Sequence, residues 1–221
     1  MNILIVSATE NEILLFKDFV LKNKSNLQLD KQHIDIDFLI TGVGILNTAY
    51  SITKKICKKK YNLIINAGIA GAFNSKLKMG SIVNVTQQTF GDFGIDDDNT
   101  FKTIFDINLI DKNSYPFESA IINNNYLPPF IKDLQKVSGI TVNTVSGSIN
   151  KINVLNNKFK ADIETMESIA VFYICKKENI NFIELRTISN YVEKRNKKKW
   201  KIDLAIKNLN NYLISIFKNN N

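Results

Sequence analysis

Six short apolar runs set the terms on which this chain can fold: residues 2–7, 34–41, 62–67, 81–86, 140–145 and 181–188. Each is rich in Ile, Val and Phe, and several are apolar almost throughout, which suits strands covered on both faces. Helical patterns lie between them. Residues 45–59 form one. Residues 166–178 form a second, with Ile169, Ala170, Phe172, Tyr173 and Ile174 supplying a wide apolar side. Residues 202–217 form a third, where Ile202, Ala205, Ile206, Leu209, Leu213, Ile216 and Phe217 recur at helical spacing. Strands alternating with helices predict an α/β fold. We expect a single three-layer domain over residues 1–218, with a mixed, mostly parallel central sheet flanked by helices, and a frayed tail at 219–221. Residues 91–136 hold all three prolines and read as loops with a short helix, over or beside the site.

Charge invites a nucleic-acid reading, which the pattern of residues discounts. The net charge is +8, yet only Arg186 and Arg195 among the 29 basic residues are arginine. The lysines fall in short scattered groups such as Lys54-Lys55 and Lys197-Lys198-Lys199. They are not interleaved with aromatics as a single-strand binder requires, so they read as solvated faces and no nucleic-acid partner is expected. Against that lysine background each arginine is a candidate for work that needs a planar fork. The first apolar run has no basic flank and is too short to cross a bilayer, so no membrane partner is expected. Cys57 and Cys175 sit in apolar helical stretches and read as reduced core thiols of a cytoplasmic protein. With the lone His33, read as a surface residue, they build no zinc site. Asp96-Asp97-Asp98 reads as a solvated loop. Neither a metal nor a cofactor is expected.

Most of the nine glycines sit just after predicted strands, as in Gly42-Val-Gly44, Gly68-Ile-Ala-Gly71 and Val145-Ser-Gly-Ser148. Glycine there allows a tight turn or a close approach to a ligand, and ligands of open α/β sheets bind beyond the carboxyl ends of strands. Acidic and amide groups follow strands too: Glu10 and Glu12 after the first, Glu164 and Glu167 at a strand-to-helix junction, and Asn190 at the end of the strand that carries Arg186. Singly, each has a plain structural role. Glu12 and Glu167 suit first helical turns, and Asn190 suits a strand-end turn. Together they offer carboxylates, one fork donor and an amide.

These residues stand in a recognisable order: Ile5-Val-Ser-Ala-Thr-Glu-Asn-Glu12, Thr41-Gly-Val-Gly44, Ile65-Asn-Ala-Gly-Ile-Ala-Gly71, Leu77-Lys-Met-Gly-Ser-Ile-Val83, Val145-Ser-Gly147, Glu164-Thr-Met-Glu167 and Arg186-Thr-Ile-Ser-Asn190. Over residues 3 to about 217 the chain resembles the superfamily of purine nucleoside phosphorylases and methylthioadenosine/S-adenosylhomocysteine nucleosidases. Within it, Phe90-Gly-Asp-Phe-Gly94, Glu164-Thr-Met-Glu167 and Ile188-Ser-Asn-Tyr-Val-Glu-Lys-Arg-Asn196 followed by Trp200 resemble the futalosine hydrolases of menaquinone biosynthesis. The resemblance implies a nucleoside phosphorylase-like fold, hydrolysis of an N-glycosidic bond with release of hypoxanthine, and a homodimer or larger homo-oligomer. It implies that Glu12 deprotonates the attacking water, that Arg186 helps hold that water, and that Glu167 accepts hydrogen bonds from the ribose hydroxyls. Met166 then packs on the sugar and Asn190 faces the N7 edge of the purine. Ile69, Gly71, Phe90, Phe93, Asn150 and Arg195 complete the candidate substrate-binding set.

Two features refine that expectation. Adenine-cleaving nucleosidases of the superfamily carry aspartate at the position of Asn190; an amide can donate to N7 or O6 but supplies no proton, which suits a 6-oxopurine. The phosphorylases hold phosphate with further basic groups, often an arginine near the position of Ile69, and no arginine precedes Arg186, which favours water as nucleophile. For the benzoate that futalosine carries on its 5′ side, Phe90, Phe93 and the Tyr115–Phe117 stretch are candidate apolar partners. Arg195 either forks onto the carboxylate or pairs with Glu193 or another acidic neighbour. The competing readings are a methylthioadenosine/S-adenosylhomocysteine nucleosidase, a purine nucleoside phosphorylase, a non-enzymatic binding relative and a basic nucleic-acid-associated module.

Overall fold

The computed structural model describes residues 1–23, 27–29, 32–97 and 100–218; Asp98 and the tail expected at 219–221 lie outside the described residues. In chain order the elements begin with β1 (Asn2–Ser7), α1 (Glu10–Lys22), β2 (Gln28–Leu29), β3 (Gln32–His33), β4 (Asp35–Ile40), α2 (Ile45–Ile56), β5 (Leu63–Ala72) and β6 (Ile82–Phe90). They continue with β7 (Gly94–Asp97), β8 (Thr100–Thr103), β9 (Ile122–Asn123), β10 (Gln135–Thr141), α3 (Ile149–Phe159), β11 (Ile163–Thr165), α4 (Ser168–Lys177), β12 (Phe182–Tyr191) and α5 (Ile202–Phe217). A mixed α/β layout results. The large sheet runs β11-β10-β6-β12-β5-β1-β4, with β9 added against β6. Neighbours are parallel except at β6–β12, β6–β9 and β5–β11.

The alternation of β1 explains the layers. Ile3 and Ile5 face one side, with Ile13 and Phe16 of α1 and Leu209 and Leu213 of α5. Leu4 and Val6 face the other, with Ile52 of α2 and Ile169 and Phe172 of α4. A strand places successive side chains on opposite faces, so a run apolar throughout builds two cores at once. Among the described residues no helix is long and apolar enough to cross a membrane.

The sheet is not simply open. β11 returns to pair with β5 through Ile163↔Ala72 and Glu164↔Gly71, closing a ring of β5, β12, β6, β10 and β11. Register shifts between Ile188 and Asn190 and between Val137 and Ser138 mark bulges, which bend strands and raise their twist. Both long strands outrun the apolar runs that announce them: β5 continues to Ala72 and β12 to Tyr191. Gly68 and Gly71 therefore lie inside a strand rather than after it.

Other expectations shift. The strand expected at 140–145 lies at 135–141; its first half is disguised by Gln135, Lys136 and Gly139, and Gly139 leaves room for the Gln88 amide, whose Nε2 a Cβ there would collide with. Cys175 is buried, but Cys57 is exposed, because α2 ends at Ile56 and leaves Cys57 at its C-cap. His33 is exposed. Asp96 and Asp97 lie exposed on β7, with Asp97 paired to Lys102. The region 91–136 supplies β7, β8, β9 and a 3-10 turn at Pro129–Ile131.

Candidate active site

A cavity of about 410 Å³ opens at the carboxyl ends of β1, β5 and β12, within the size range of small-ligand sites. Glu12 anchors it. The chain leaves β1 at Ser7, turns, and enters α1 with Thr9 as N-cap and Glu12 as its third helical residue. Glu12 Oε2 accepts from Thr9 N (2.9 Å), Thr9 Oγ1 (2.9 Å) and Ser7 Oγ (3.1 Å). Oε1 accepts from Ile69 N on β5 at 3.1 Å. A carboxylate oxygen has room for about two donors. Oε2 is therefore saturated, and Oε1 keeps a lone pair for a donor in the cavity.

Arg186 lies beneath this carboxylate, not on the cavity wall. It is 1% exposed; Nε donates to Glu184 Oε1 at 2.8 Å and an Nη2 hydrogen goes to Ser168 Oγ at 3.1 Å. Ser168 Oγ also donates to Glu184 Oε1. Burial works against the guanidinium charge, but Glu184, Glu167 and Glu12 outweigh it and raise its pKa. Gly68 separates Arg186 from Glu12. A Cβ there would collide with Arg186 Nη1 and lie 2.9 Å from Glu12 Oε1, so glycine at this point of β5 leaves room for both side chains.

Glu167 stands at the N-cap of α4 and is 7% exposed. Its Oε1 accepts from Gly44 N at 3.0 Å; Gly44 holds φ +97, a conformation that favours glycine. Burial pushes the Glu167 carboxyl above its ordinary range, against the pull of Arg186 and of the Gly44 N–H. Glu164, on β11, also lines the cavity. It accepts from Ser146 N at 3.0 Å and from Ser146 Oγ, which ties the loop after β10 to the site.

Asn190 sits beyond the bulge in β12. Its Nδ2 donates to Tyr191 O at 3.1 Å and its Oδ1 accepts from Ser189 Oγ at 2.8 Å. A carbonyl only accepts, so Tyr191 O fixes which end of the amide is the NH2. Gly71 leaves that NH2 uncovered: a Cβ there would lie 3.2 Å from Asn190 Nδ2 and 3.0 Å from Val192 Cγ2.

Of the expected site residues, Glu12, Ile69, Gly71, Met166, Glu167, Asn190 and Arg195 line this cavity. Four others do not. Arg186 is the buried group just described. Asn150 is exposed on the first turn of α3, which carries it past the cavity. Phe90 and Phe93 pack edge to face at 5.1 Å and line a separate apolar cavity with Tyr115, Phe117, Tyr173 and Ile45. Arg195 does not pair with Glu193, which binds Lys199 at 2.9 Å; its guanidinium stacks on Trp200 at 5.4 Å. Unforeseen partners are Ser7 and Thr9 for Glu12, Glu184 and Ser168 for Arg186, Ser189 for Asn190 and Ser146 for Glu164. Among the described residues no cluster of His, Cys, Asp and Glu could hold a metal.

The model of the phosphorylase superfamily matches residues 38–218. The 5′-methylthioadenosine/S-adenosylhomocysteine nucleosidase of Buchnera aphidicola subsp. Schizaphis graminum is 27% identical over 206 residues, covering 86% of this chain and 84% of its own. The futalosine hydrolase of Streptomyces coelicolor is 24% identical over 182 residues, covering 77% and 73%. Among solved structures, the futalosine hydrolase of Helicobacter pylori strain 26695 matches with a TM-score of 0.79 at 15% identity, across 98% of this chain and 97% of that one. The methylthioadenosine/S-adenosylhomocysteine nucleosidase of Helicobacter pylori with butyl-thio-DADMe-Immucillin-A matches with a TM-score of 0.78 at 16% identity, across 98% and 97%. At those identities the two structures speak to the fold alone.

Proposed function

We propose that this chain, which belongs to the phosphorylase superfamily, hydrolyses the N-glycosidic bond of a 6-oxopurine nucleoside, with futalosine as substrate and hypoxanthine as leaving group. The relatives reported above are nucleosidases, and the chain is an enzyme acting on N-glycosyl bonds. The choice of base rests on Asn190. One N–H of its NH2 goes to Tyr191 O, which leaves the other to donate to N7 or O6, the two acceptors on one edge of hypoxanthine. Aspartate in its place would set an acceptor against Tyr191 O unless it carried a proton, which is the form that suits adenine.

Water rather than phosphate is the proposed nucleophile. The cavity is lined by four glutamates, Glu12, Glu164, Glu167 and Glu193, and one arginine, Arg195; such a lining repels a phosphate dianion. In the proposed reaction Glu12 Oε1 takes the proton of the attacking water, which adds to C1′ as the bond to the base breaks; the purine leaves as its anion and takes up one proton from solvent to become hypoxanthine, while Glu12 gives one back. Positive charge develops on the ribose, and electron density moves into the purine, where the Asn190 donor stabilises it. Glu167 holds the ribose hydroxyls, so that water and C1′ meet in line. At the 5′ side Arg195, stacked on Trp200, forks onto the carboxylate of the substituent. Val43, Ile202 and Ile206 supply apolar wall.

Replacing Asn190 by aspartate tests the base assignment. Futalosine turnover is expected to fall by about 10²-fold or more, with adenine release from methylthioadenosine gained, because a site built to match polar groups discriminates strongly. Unchanged kinetics on both nucleosides would remove Asn190 from base recognition. A second reading, methylthioadenosine/S-adenosylhomocysteine nucleosidase, draws on the Buchnera relative, whose match covers more of this chain.

Glu167 gives a pH prediction. Its carboxyl is held above the ordinary range by burial, and only the ionised form accepts from both ribose hydroxyls. KM should rise as pH falls through that elevated pKa, before an ordinary carboxylate would titrate. A KM flat across that range would contradict the ribose role.

We place a second copy of the chain against the exposed apolar face made by Val43, Leu46, Tyr50, Phe93, Tyr115 and Tyr173. Val43 also lines the catalytic cavity, so the two surfaces are continuous. Sedimentation velocity should report a dimer or larger species, and a monomer at micromolar concentration would contradict this placement.

A further inference from the structure

One amide interrupts the apolar stripe of α5. Asn210 is fully buried, between Leu209 and Leu213, which pack against Ile13 and Phe16 of α1 in one core. Phe16 and Phe217 stack at 5.3 Å along the same seam. Burying an amide among aliphatic groups costs free energy unless its polar atoms find partners. Asn210 finds two of its partners on α1, across the helix interface. Its Oδ1 accepts from Phe16 N at 2.8 Å, and its Nδ2 donates to Glu12 O at 2.8 Å. Nδ2 also donates to Ile206 O on its own helix at 2.7 Å. Both donors and an acceptor are thus engaged, and the amide has one orientation available to it.

The two α1 atoms it holds are a matched pair. Glu12 O and Phe16 N are four residues apart and face each other across one helical turn. Asn210 therefore grips α1 at the turn that presents Glu12 and ties the backbone of that residue to α5. The carboxylate is fixed from the other side by Ser7, Thr9 and Ile69. α5 itself contributes Ile202 and Ile206 to the cavity wall, so one helix supports the floor of the site and registers its carboxylate.

We propose that Asn210 is a positioning residue for Glu12: through the backbone of α1 it sets where Glu12 Oε1 meets the attacking water. This rests on the reading of Glu12 as the base. Leucine or alanine at this position would keep or reduce the packing but would release the turn. A displacement of about 1 Å at a reacting group can cost about 100-fold in rate.

The test is a kinetic cycle of Asn210→Ala, Glu12→Gln and the double variant, with futalosine and methylthioadenosine each offered as substrate. Hypoxanthine and adenine binding are measured alongside. Asn210→Ser, which keeps a hydroxyl donor for one of the two carbonyls, serves as the milder variant, and rates are taken where circular dichroism shows each protein folded. Asn210→Ala should lower kcat by about 10- to 100-fold, with KM and free-base affinity within about threefold of wild type, and Asn210→Ser should fall between. In the Glu12→Gln background the same change should cost less than about twofold, since residues that act through one another are non-additive. A kcat within about threefold of wild type in folded Asn210→Ala, or a loss that adds in full to that of Glu12→Gln, overturns the proposal. Wild-type turnover in Glu12→Gln alone would overturn the base assignment, and with it this route, whatever Asn210→Ala does.

Discussion

Glu12→Gln is expected to lower turnover by about 10²- to 10⁴-fold, the usual worth of a general base, while leaving purine affinity nearly intact. The geometry makes the substitution more than a loss of charge. Ser7 Oγ, Thr9 N, Thr9 Oγ1 and Ile69 N all donate to this side chain. Glutamine has one acceptor atom, so it can satisfy the Thr9 side or the Ile69 side, not both. If its oxygen faces Thr9, its NH2 faces Ile69 N and occupies the place of the oxygen that would take the proton. A buried donor without a partner costs about 1–3 kcal/mol, so a drop in melting temperature should accompany the loss of rate. Single-turnover base release, scaled to folded protein, separates the two. Residual turnover within about tenfold of wild type would mean that another group activates the water.

Arg186→Met should produce the largest loss of stability. Arg186 and Glu184 are 1% and 0% exposed and bonded at 2.8 Å through Nε and Oε1, and Glu184 Oε2 has no hydrogen-bond partner among the described residues. Removing the arginine strands Glu184 in the core beside Glu167 and Glu12. Breaking one side of a buried ion pair costs about 3–5 kcal/mol, a large share of the roughly 5–15 kcal/mol of a typical domain. For a chain of this size the melting temperature should fall by about 6–20 °C. The double variant Arg186→Met with Glu184→Leu should recover much of that stability, because it removes the stranded charge, yet it should remain a poor enzyme. Thermal unfolding of both variants checks the first statement and their kinetics the second. A melting temperature within about 2 °C of wild type in Arg186→Met would show that the pair is not what holds this part of the core.

The alternation of apolar runs and helical stripes carried the layers well. β1 and α5 lie at 2–7 and 202–217, because β1 is a continuous apolar run and α5 repeats apolar residues at helical spacing with Asn210 as the one buried amide among them. Elements whose pattern is mixed were harder to read. β10 starts in polar residues, and α3 (Ile149–Phe159) has a weak stripe amid asparagine and lysine. Ring closure through β5 and β11 has no signature in either strand alone, since pairing partners are set by tertiary packing. The site was partly legible for the same reason. Thr9-x-x-Glu12 is a capping-box pattern that foretells the Thr9–Glu12 bonds. Glu184 and Arg186 are two apart on one strand and so share a face. Asn210 falls within a stripe that otherwise buries aliphatic residues. What local pattern does not carry is which loops converge. Asn150 and Arg195 both lie close to motifs, yet only Arg195 lines the cavity, because α3 turns Asn150 outward.

Selection of a 6-oxopurine by the Asn190 amide, with water as nucleophile, is tested most directly by chromatography. The purified protein is incubated with futalosine and with methylthioadenosine in phosphate-free buffer, and the released base is quantified over time. Hypoxanthine is expected from futalosine at a rate that added phosphate leaves unchanged, with little adenine from methylthioadenosine. Rapid adenine release with futalosine left intact, or cleavage that begins only when phosphate is supplied, would contradict it.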